Sequence, residues 1–306
     1  MNVFIRKIHS LYKKIYYRYL SIHNPRKLAN HLYIDATGKK EGINWEHPVD
    51  LNEKINWLKF NTDTSKWSEL ADKYAVRKFI EEKGLERYLV PLLGVWENAD
   101  QIDFSKLPNS FVLKTNNGAG TVMVVEDKSK INEVEVRTQL NKWLKKRFGL
   151  LQAEPHYLKI PPKIIAEELL MEKSPYSSSL VDYKMWCFDG WFFGTFVCYN
   201  RHKFAKKVEW YDRDWNYHPE WLSEKYRKFL SSDNPSVPKP KLYNEMIRMA
   251  ETLSKGFPEV RVDLYNIDGQ IYFGEMTFTA SGGHMNSSSD EILLEMGRLT
   301  KIPIDK

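Results

Sequence analysis

The segments Arg261-Val-Asp263 and Glu275-Met-Thr277 bring charged side chains together within two β-rich runs. Alternate residues of a strand share one face, so Arg261 points with Asp263 and Glu275 points with Thr277. Residues 266–270 can join the two strands as a turn, which lets the pairs converge. Two carboxylates and a hydroxyl suit Mg²⁺ beside substrate phosphates, and a neighbouring arginine suits a transferring phosphoryl group. A surface salt-bridge ladder is the alternative, but Glu275 lies in the apolar run YFGEMTF, where an unpaired carboxylate is unfavourable.

A glycine-containing segment, Lys114-Thr-Asn-Asn-Gly118-Ala-Gly120-Thr121, lies between two predicted strands. A turn of this kind can direct backbone N–H groups at phosphate oxygens, and the lysine before it supplies a positive charge. The segment lacks the GK[ST] order of a Walker loop, and no helix follows it directly. A plain hairpin turn after a half-exposed lysine is the alternative.

Two weaker features lie between these segments. Glu167, Glu168 and Leu169 end an apolar strand, where a carboxylate and backbone groups can hold an adenine amino group or ribose hydroxyls. Acidic pairs at strand ends are common, however, so this feature is not specific. Asp182 and Lys184 are two residues apart and therefore share one face of a predicted hairpin.

The elements that must position these residues alternate irregularly between strands and helices. Apolar, β-branched runs predict strands at 89–96, 110–115, 121–126 and 163–170, and a strand–turn–strand unit at 260–278. Helical spacing of apolar residues predicts helices at 51–60, 65–83, 131–148, 241–256 and 291–299. The absence of a regular βαβ period favours an α+β architecture with antiparallel hairpins over a doubly wound parallel sheet.

The dipeptide Asp189-Gly190 lies between two aromatic, β-branched runs and is a strong signal for a hairpin. With a two-residue turn, Cys198 falls opposite Val181 and not opposite Cys187. We therefore expect no disulfide between the two cysteines of the chain.

The composition places the chain among globular proteins. It has 306 residues, 42% of them hydrophobic, which is enough for about two domains or subdomains. Its 28% charged residues argue against bulk disorder, and no run of 18 apolar residues predicts a membrane span. Two cysteines exclude a disulfide scaffold, and the N-terminus lacks the apolar region of a secretory signal. We therefore expect a cytoplasmic protein.

The net charge of +6 is concentrated in residues 1–34, which carry seven lysines and arginines and no acid. The remainder has a net charge of −1, which argues against a nucleic-acid binder with a basic face. Residues 3–20 predict an amphipathic helix with one apolar and one basic face. Such a helix can bind anionic lipid headgroups on the inner face of a membrane, or it can pack on the body with a solvated basic face.

Residues 200–240 form a long polar and aromatic insertion, which is a candidate lid over an acceptor because loops of this length are usually functional or mobile. Its cations could bind a triphosphate or an acidic sugar, and its aromatic side chains could stack on sugar rings. These residues are Arg201, His202, Lys203, Lys206 and Lys207, and Trp210, Tyr211, Trp215, Tyr217 and Trp221. The alternative is that the aromatic residues belong to the core and the cations to a solvated face.

The order of these features resembles the ATP-grasp superfamily, and most closely its TupA-like branch, which is named for teichuronopeptide synthesis and occurs among genes for cell-surface polysaccharides. The resemblance covers roughly residues 45–300. Its matching segments are NEKINWLKF (52–60), LADKYAVRKFIEEKG (70–84), YLVPLLGVW (88–96), LPNSFVLKTNNGAG (107–120), DYKMWCFDG (182–190), FAKKVEWYDRDW (204–215) and RVDLYNIDGQIYFGEMTFTASGG (261–283). It implies an α+β, ATP-grasp fold with two α+β subdomains that grip ATP, preceded by a short helical N-terminal region.

The implied domains are a helical N-terminal region at 1–65, a lid subdomain with the phosphate loop at 66–165, and a C-terminal subdomain with the metal site at 166–306. The resemblance also implies contacts to ATP. The residues concerned are Lys73 and Lys114 as the two nucleotide lysines, with Lys114 at the α- and β-phosphates, Gly118, Ala119, Gly120 and Thr121 in the covering loop, Glu167 or Glu168 with Leu169 at adenine, and Asp182 at the ribose. Lys184 and Lys206 are two further candidates for contact with the nucleotide.

The resemblance assigns catalysis to Arg261 and Lys114 and assigns Mg²⁺ binding to Asp263, Glu275 and Thr277. Many ATP-grasp enzymes have asparagine where this chain has Thr277. A threonine still offers one oxygen, so a metal site remains the expectation, but the number of metal ions stays open.

The resemblance implies an ATP-dependent carboxylate–amine ligase that forms an amide through an acyl-phosphate intermediate. By the setting of the family, the acid is a uronic acid in cell-surface polysaccharide biosynthesis and the amine is an amino acid or another small amine. Two alternatives stay open. A glycosyltransferase would use an acidic pair such as Asp212-Arg-Asp214 with a sugar nucleotide, and a non-catalytic nucleotide-binding scaffold at the membrane would fit the basic N-terminal helix and Thr277.

Overall fold

The computed structural model describes residues 3–172, 174–201, 206–230 and 235–304, with side chains from residue 10 onward. The helices are α1 (Val3–His23), α2 (Pro25–Thr37), α3 (Leu51–Asn61), α4 (Ser65–Ala71), α5 (Val76–Glu82), α6 (Glu133–Leu144), α7 (Glu224–Arg227), α8 (Tyr243–Ser254) and α9 (Asp290–Leu299). The strands are β1 (Leu92–Trp96), β2 (Phe111–Thr115), β3 (Val122–Val125), β4 (Ile164–Glu168), β5 (Asp182–Phe188), β6 (Trp191–Tyr199), β7 (Lys207–Asp212), β8 (Val260–Ile267) and β9 (Gln270–Thr277). This mixture of helices and antiparallel strands confirms the predicted α+β class.

The first sheet is antiparallel and has the strand order β1–β4–β2–β3. One face is covered by α6, whose Val136 and Leu140 pack with Leu113 of β2. Alternate residues of β2 point to the opposite face, so Val112 and Lys114 are only half-buried there. Lys114 is thereby presented on the face of the sheet that α6 does not cover.

The second sheet is antiparallel and has the strand order β7–β6–β5–β8–β9. One face is covered by α8, whose Met246 belongs to a buried cluster with Met185 and Val262. Part of the opposite face is covered by α3 and α9, through Ile55 and Met296. The remainder of that face carries the charged residues of β5, β8 and β9.

The insertion predicted at 200–240 is partly regular structure. Strand β7 pairs with β6 and forms an edge of the second sheet, so the expectation of a continuous loop is wrong for these residues. Trp210 and Tyr211 on this strand are at most 1% exposed. They are buried because opposite faces of β7 pack into two different clusters of the core.

The helix predicted at 65–83 is interrupted in its middle. Helix α4 ends at Ala71 because the side chain of Asp72 accepts hydrogen bonds from the backbone N–H groups of Tyr74 and Ala75. The backbone N–H of Lys73 donates instead to the carbonyl of Asn116, at 3.2 Å. These hydrogen bonds replace those that would continue the helix, so the backbone leaves the helix at Asp72. Lys73 therefore lies beside the glycine-containing segment.

The hairpin at Asp189-Gly190 forms as predicted, with both residues at positive φ. A β-bulge between Trp186 and Cys187 shifts the register of its strands by one residue. Cys198 therefore lies opposite Asp182, whereas the sequence predicted that it would lie opposite Val181. Both cysteines are buried and free.

Helix α3 buries polar side chains that hold the segment after β9. Asn52 donates from Nδ2 to the carbonyl of Met285 (2.9 Å) and accepts from its backbone N–H (2.8 Å). Asn56 donates to the carbonyl of Gly283, and Lys59 donates to the carbonyl of Gly282. One face of α3 thus supplies hydrogen-bond partners to the buried backbone of residues 282–285, which begin in a short 3-10 helix at Ala280–Gly283.

Candidate functional site

A cleft of about 600 Å³ lies between the two sheets. Its walls come from β2, β3 and β4 on one side and from β5, β8 and β9 on the other. The structure brings together here twelve of the site residues singled out in the sequence. They are Lys73, Lys114, Gly118, Ala119, Gly120, Glu167, Glu168, Leu169, Asp182, Lys184, Asp263 and Glu275.

Four of the singled-out residues do not line this cleft. Thr121 is buried beneath the loop, where its hydroxyl is 2.7 Å from that of Thr115. Thr277 is 8% exposed and lies at the edge of the charged cluster. Arg261 and Lys206 line a separate, adjoining cavity, so the expectation that Lys206 faces the nucleotide phosphates is not met by its position.

Three lysines line the cleft, and each of them lies against a carboxylate. Lys114 Nζ lies 2.5 Å from an oxygen of Glu167, and both side chains are largely buried. Lys73 donates to the carbonyl of Gly118 at 2.7 Å and lies 3.3 Å from an oxygen of Glu275. Lys73 therefore connects the glycine-containing loop of one sheet with a carboxylate of the other.

The position of the loop depends on residues that sequence reasoning missed. Asn116 donates to the carboxylate of Asp72 at 2.8 Å and accepts from the backbone N–H of Lys163 at 2.7 Å. A Cβ at Gly118 would lie 2.4 Å from Cγ of Phe148, so only glycine fits there without a shift. The two consecutive asparagines of this loop could have indicated such hydrogen bonds, because asparagine side chains frequently bond to nearby backbone groups.

On the second sheet, Asp263 is surrounded by cations. Its carboxylate accepts from Arg261 Nε at 2.6 Å and from Arg261 NH2 at 2.8 Å, and it lies 2.6 Å from Lys184 Nζ. The strand register pairs Asp263 with Glu275 and Arg261 with Thr277. The residue pairs that the spacing placed on common strand faces therefore form one charged cluster.

Glu275 is the carboxylate whose pKa the cluster changes most clearly. Burial by itself would raise its pKa, but the positive charges of Lys73, Lys184 and Arg261 lower it to about 2. The guanidinium of Arg261 has its pKa raised, since attraction to Asp263 and Glu275 outweighs the effect of burial. Both groups are therefore fully charged at neutral pH.

Apolar residues that the sequence analysis did not single out form another part of the wall. Val122 and Val124 on β3 are 51% and 54% exposed, and they lie directly across from Lys114 and Val112 of β2. Phe273 lines the same cleft from β9. The sequence signal for these residues was the run TVMVVE, which is apolar on both faces of the strand. One of these faces is not covered by the core, and exposed apolar side chains of this kind often mark a binding surface.

Among the candidate lid residues, Arg201 also lines the cleft, whereas the other described ones lie elsewhere. Asp182 lines the cleft and forms an ion pair with Arg201, while His202 and Lys203 lie outside the described residues. The carboxylate of Asp212 accepts from the backbone N–H groups of Asp214 and Asn216, so it caps the turn after β7. Lys207 begins β7 of the second sheet, and its ammonium group donates to the carbonyl of Leu230, which follows α7. Trp215, Tyr217 and Trp221 pack against buried aromatic side chains.

The donor set fits a divalent cation that also contacts phosphates. Among the described residues, no group of three or more histidines, cysteines and carboxylates could by itself hold a metal ion. Asp263, Glu275 and Thr277 nevertheless offer two carboxylates and a hydroxyl on adjacent strands. Mg²⁺ is commonly held by one or two carboxylates, with substrate phosphates and water completing its shell.

Comparisons with known proteins extend these observations. A family model described as TupA-like ATP-grasp matches residues 53–301. D-alanine–D-alanine ligase from Bacillus anthracis, solved with ATP, is 13% identical with a TM-score of 0.44, and the match covers 81% of this chain and 65% of that one. The same ligase from Helicobacter pylori is 12% identical (84% and 68% covered, TM-score 0.45), and L-amino acid ligase from Bacillus licheniformis is 14% identical (76% and 50% covered, TM-score 0.45). No curated protein sequence matches the chain.

Proposed function

The chain belongs to the TupA-like ATP-grasp family, and from this premise we propose that it is an ATP-dependent ligase that joins a carboxylate to an amine. The observation that carries the proposal is the cleft between the two sheets. Lys73 and Lys114 face this cleft beside a glycine-containing loop, and Asp263 and Glu275 face it from the other sheet. Cations for phosphates and carboxylates for Mg²⁺ thus line one space.

In the proposed complex, the ammonium groups of Lys73 and Lys114 bind phosphate oxygens of ATP. Both lysines already lie against carboxylates, and phosphate oxygens would give each of them a further anionic partner. The exposed Val122 and Val124 and the apolar side chain of Phe273 offer a surface for the adenine ring. Adenine binding would cover these side chains and so contribute hydrophobic stabilisation.

Asp263, Glu275 and Thr277 would hold Mg²⁺, which when bound neutralises charge on the phosphate oxygens. Glu275 suits this role because it stays ionised at neutral pH. Arg261 lies beside both carboxylates and would stabilise negative charge that develops on the substrate carboxyl group and on the transferring phosphoryl group. Fixed cations of this kind need no reorganisation during the reaction, which is their main catalytic advantage.

For the substrates, we propose a uronic acid of a cell-surface polysaccharide as the acid and an amino acid or another small amine as the nucleophile. The association of the family's name with polysaccharide synthesis supports this choice. Formation of an amide from a carboxylate in water needs activation, and transfer of the γ-phosphoryl group to the carboxylate supplies it. The closed cleft between two sheets would protect the activated acid from hydrolysis.

We further propose that α1 contacts the inner face of a membrane. Its Leu11, Tyr12, Ile15 and Tyr19 are 57–69% exposed, although their spacing places them on the apolar side of the helix. The basic residues of the segment would attract anionic headgroups. None of the described helices is long and apolar enough to cross a bilayer.

The ligase proposal is tested first by nucleotide binding. Thermal unfolding is recorded with Mg-ATP and with Mg-UDP-sugars for the wild type, for Lys114→Ala and for the control Lys130→Ala, whose side chain is 80% exposed. A ligand that binds only the folded state raises the melting temperature. We expect a shift with Mg-ATP that Lys114→Ala loses and Lys130→Ala keeps, followed by ADP release when a uronic acid and an amine are added. A shift with UDP-sugars alone would favour a glycosyltransferase, and ATP binding without turnover would favour a scaffold.

The membrane contact is tested by flotation with vesicles of anionic or neutral lipid. Leu11→Ser combined with Ile15→Ser should reduce binding to anionic vesicles, because it removes exposed apolar area without disturbing the core. Val134→Ser on α6 is the matched control, since Val134 is 72% exposed. Equal flotation of all three proteins would contradict a role for α1.

A further inference from the structure

A basic turn, residues 142–151, begins in the last residues of α6 and lies outside the cleft between the sheets. Its sequence is KWLKKRFGLL, and none of its residues lines the cleft. The only acid from residue 136 to residue 163 is Glu154, which is 4% exposed. The turn carries four exposed cations, and none of them forms a salt bridge with a carboxylate of the described residues: Lys142, Lys145, Lys146 and Arg147. The net charge of −1 outside residues 1–34 therefore hides a local excess of positive charge.

The position of the basic turn at the end of a helix explains only part of this charge. Helix α6 ends one residue before Lys145, and cations near the end of a helix are stabilised by the helix dipole. Lys142 and Lys145 fit this role, but the effect falls off beyond the last turn and does not account for Lys146 and Arg147. Lys146 lies 5.9 Å from the ring of Phe148, at the limit of a cation–π contact. Neighbouring like charges repel each other, so the cluster is unfavourable for the protein without an anionic partner.

Exposed apolar side chains accompany these cations. Leu151 at the end of the basic turn is 51% exposed, and Leu158 farther along the chain is 37% exposed. The backbone of the turn is fixed, because the N–H of Glu154 donates to the carbonyl of Gly149 at 2.8 Å. A single exposed leucine is ordinary on a protein surface. Cations beside exposed leucines, however, are the composition of segments that lie at the boundary between lipid headgroups and acyl chains.

The basic turn adjoins the pair of helices at the N-terminus. Ala153 is 2% exposed and belongs to a buried cluster with Leu20 of α1 and residues of α2. Two residues of chain span at most about 7 Å, so Leu151 lies within that distance of a residue that packs on α1 and α2. Helix α1 has exposed cations of its own, Lys14 and Arg18, and neither forms a salt bridge in the part of the chain that the structure describes. Two basic elements with exposed apolar side chains are therefore neighbours.

We propose that the basic turn binds anionic lipid headgroups and is a second contact with the membrane surface that α1 binds. Its four cations contact the phosphate and carboxylate groups of the lipids, and Leu151 enters the boundary between headgroups and acyl chains. Nucleic acid is another polyanion, but the exposed leucines and the neighbouring α1 favour a lipid surface. This assignment rests on the membrane contact proposed for α1, but it concerns different residues and is independent of the nucleotide cleft.

The test measures partitioning of the full chain onto sedimented vesicles of phosphatidylcholine alone or of phosphatidylcholine and phosphatidylserine in equal parts. Lys145→Gln combined with Lys146→Gln should weaken binding to the anionic vesicles about 30-fold, because each cation near an anionic surface contributes about a factor of five. Lys106→Gln combined with Lys130→Gln is the matched control for net charge, since these lysines are 82% and 80% exposed and lie elsewhere on the first sheet's side of the chain. The control should change binding less than about twofold.

The apolar contribution has its own pair of variants. Leu151→Ser should weaken binding to anionic vesicles several-fold, whereas Leu294→Ser on α9, where the leucine is 40% exposed, should not. All these positions are exposed, so we expect the melting temperature and its shift with Mg-ATP to be the same as for the wild type.

Three outcomes would overturn the assignment. These are equal binding of wild type and the Lys145 and Lys146 double variant to anionic vesicles, equal binding of the wild type to anionic and neutral vesicles, and tighter binding of the wild type to a DNA duplex than to anionic vesicles. Comparison with Leu11→Ser and Ile15→Ser separates the two proposed contacts. Loss of binding only in the α1 variant would refute the basic turn and keep α1, and loss only in the variants of the basic turn would support the turn and refute α1.

Discussion

Replacement of Asn52 by leucine is expected to destabilise the protein strongly, although leucine is apolar and close to asparagine in size. Asn52 is fully buried on α3, and its side chain makes two hydrogen bonds to the backbone of Met285. Met285 lies in the segment after β9 and lines the smaller cavity that also contains Arg261 and Lys206. The substitution therefore leaves one backbone N–H and one backbone carbonyl without their partner.

The magnitude follows from these two groups. A buried donor or acceptor without a partner is unfavourable by about 1–3 kcal/mol, so two of them amount to roughly 2–6 kcal/mol. Burial of the leucine side chain offsets part of this loss, by about 1–2 kcal/mol. The two ranges together give a loss of about 0–5 kcal/mol, and we expect the free energy of unfolding to fall by about 2.5 kcal/mol, which is a large fraction of the stability of a typical domain.

The measurement is urea unfolding of the wild type, Asn52→Leu and Asn61→Leu, followed by circular dichroism. Asn61 is the matched control because it lies on the same helix, is exposed, and makes one side-chain bond to the carbonyl of Trp57. Asn61→Leu should change the free energy of unfolding by about 0.5 kcal/mol or less. The slope with urea should be the same for all three proteins, since the folds are the same. A loss below about 1 kcal/mol for Asn52→Leu would refute the view that α3 holds the segment after β9.

Three further predictions concern the cleft and the core. Glu275→Gln should reduce Mg²⁺-dependent ADP release at least about 100-fold. The pKa of Glu275 in the folded protein is about 2, below its ordinary value of 4.5, so the charged side chain stabilises the fold fully above pH 4.5 and loses this contribution as the pH falls toward 2. Acidification should therefore lower the free energy of unfolding of the variant less than that of the wild type. Gly118→Ala should weaken Mg-ATP binding because its Cβ would meet Phe148, and Phe148→Ala should restore it in the double variant, as titration calorimetry can show. Cys187 and Cys198 should not react with a thiol reagent in the native protein but should both react in denaturant, because both are buried and burial raises the pKa of Cys187 to about 12.

Local patterns in the sequence were sufficient for the elements and for much of the site. Period-two alternation places Arg261 with Asp263 and Glu275 with Thr277, and the strand register agrees with both. These predictions hold because the face of a strand on which a side chain lies depends only on its own chain. The hairpin at Asp189-Gly190 has the same origin, since a two-residue turn is selected by the residues within it.

Features that depend on distant residues were decided by the tertiary structure alone. Lys73 leaves its helix because Asn116, more than forty positions later, accepts its backbone N–H. The polar face of α3 reads as solvent-exposed in the sequence, yet it is buried because it bonds to a loop more than 220 residues away. A buried polar group is stable only when it has a hydrogen-bond partner of suitable geometry. Because the sequence does not show that distant partner, a polar helix face is expected to be solvated.

The sequence by itself therefore determined which of the charged residues share a strand face. It did not determine that Lys206 lines a cavity separate from the cleft between the sheets, because that depends on the order and register of five paired strands. Strand order and register are set by the packing of both sheet faces together. A single bulge at Trp186 shifts a register by one residue, and no local signal in the sequence specifies where such a bulge forms.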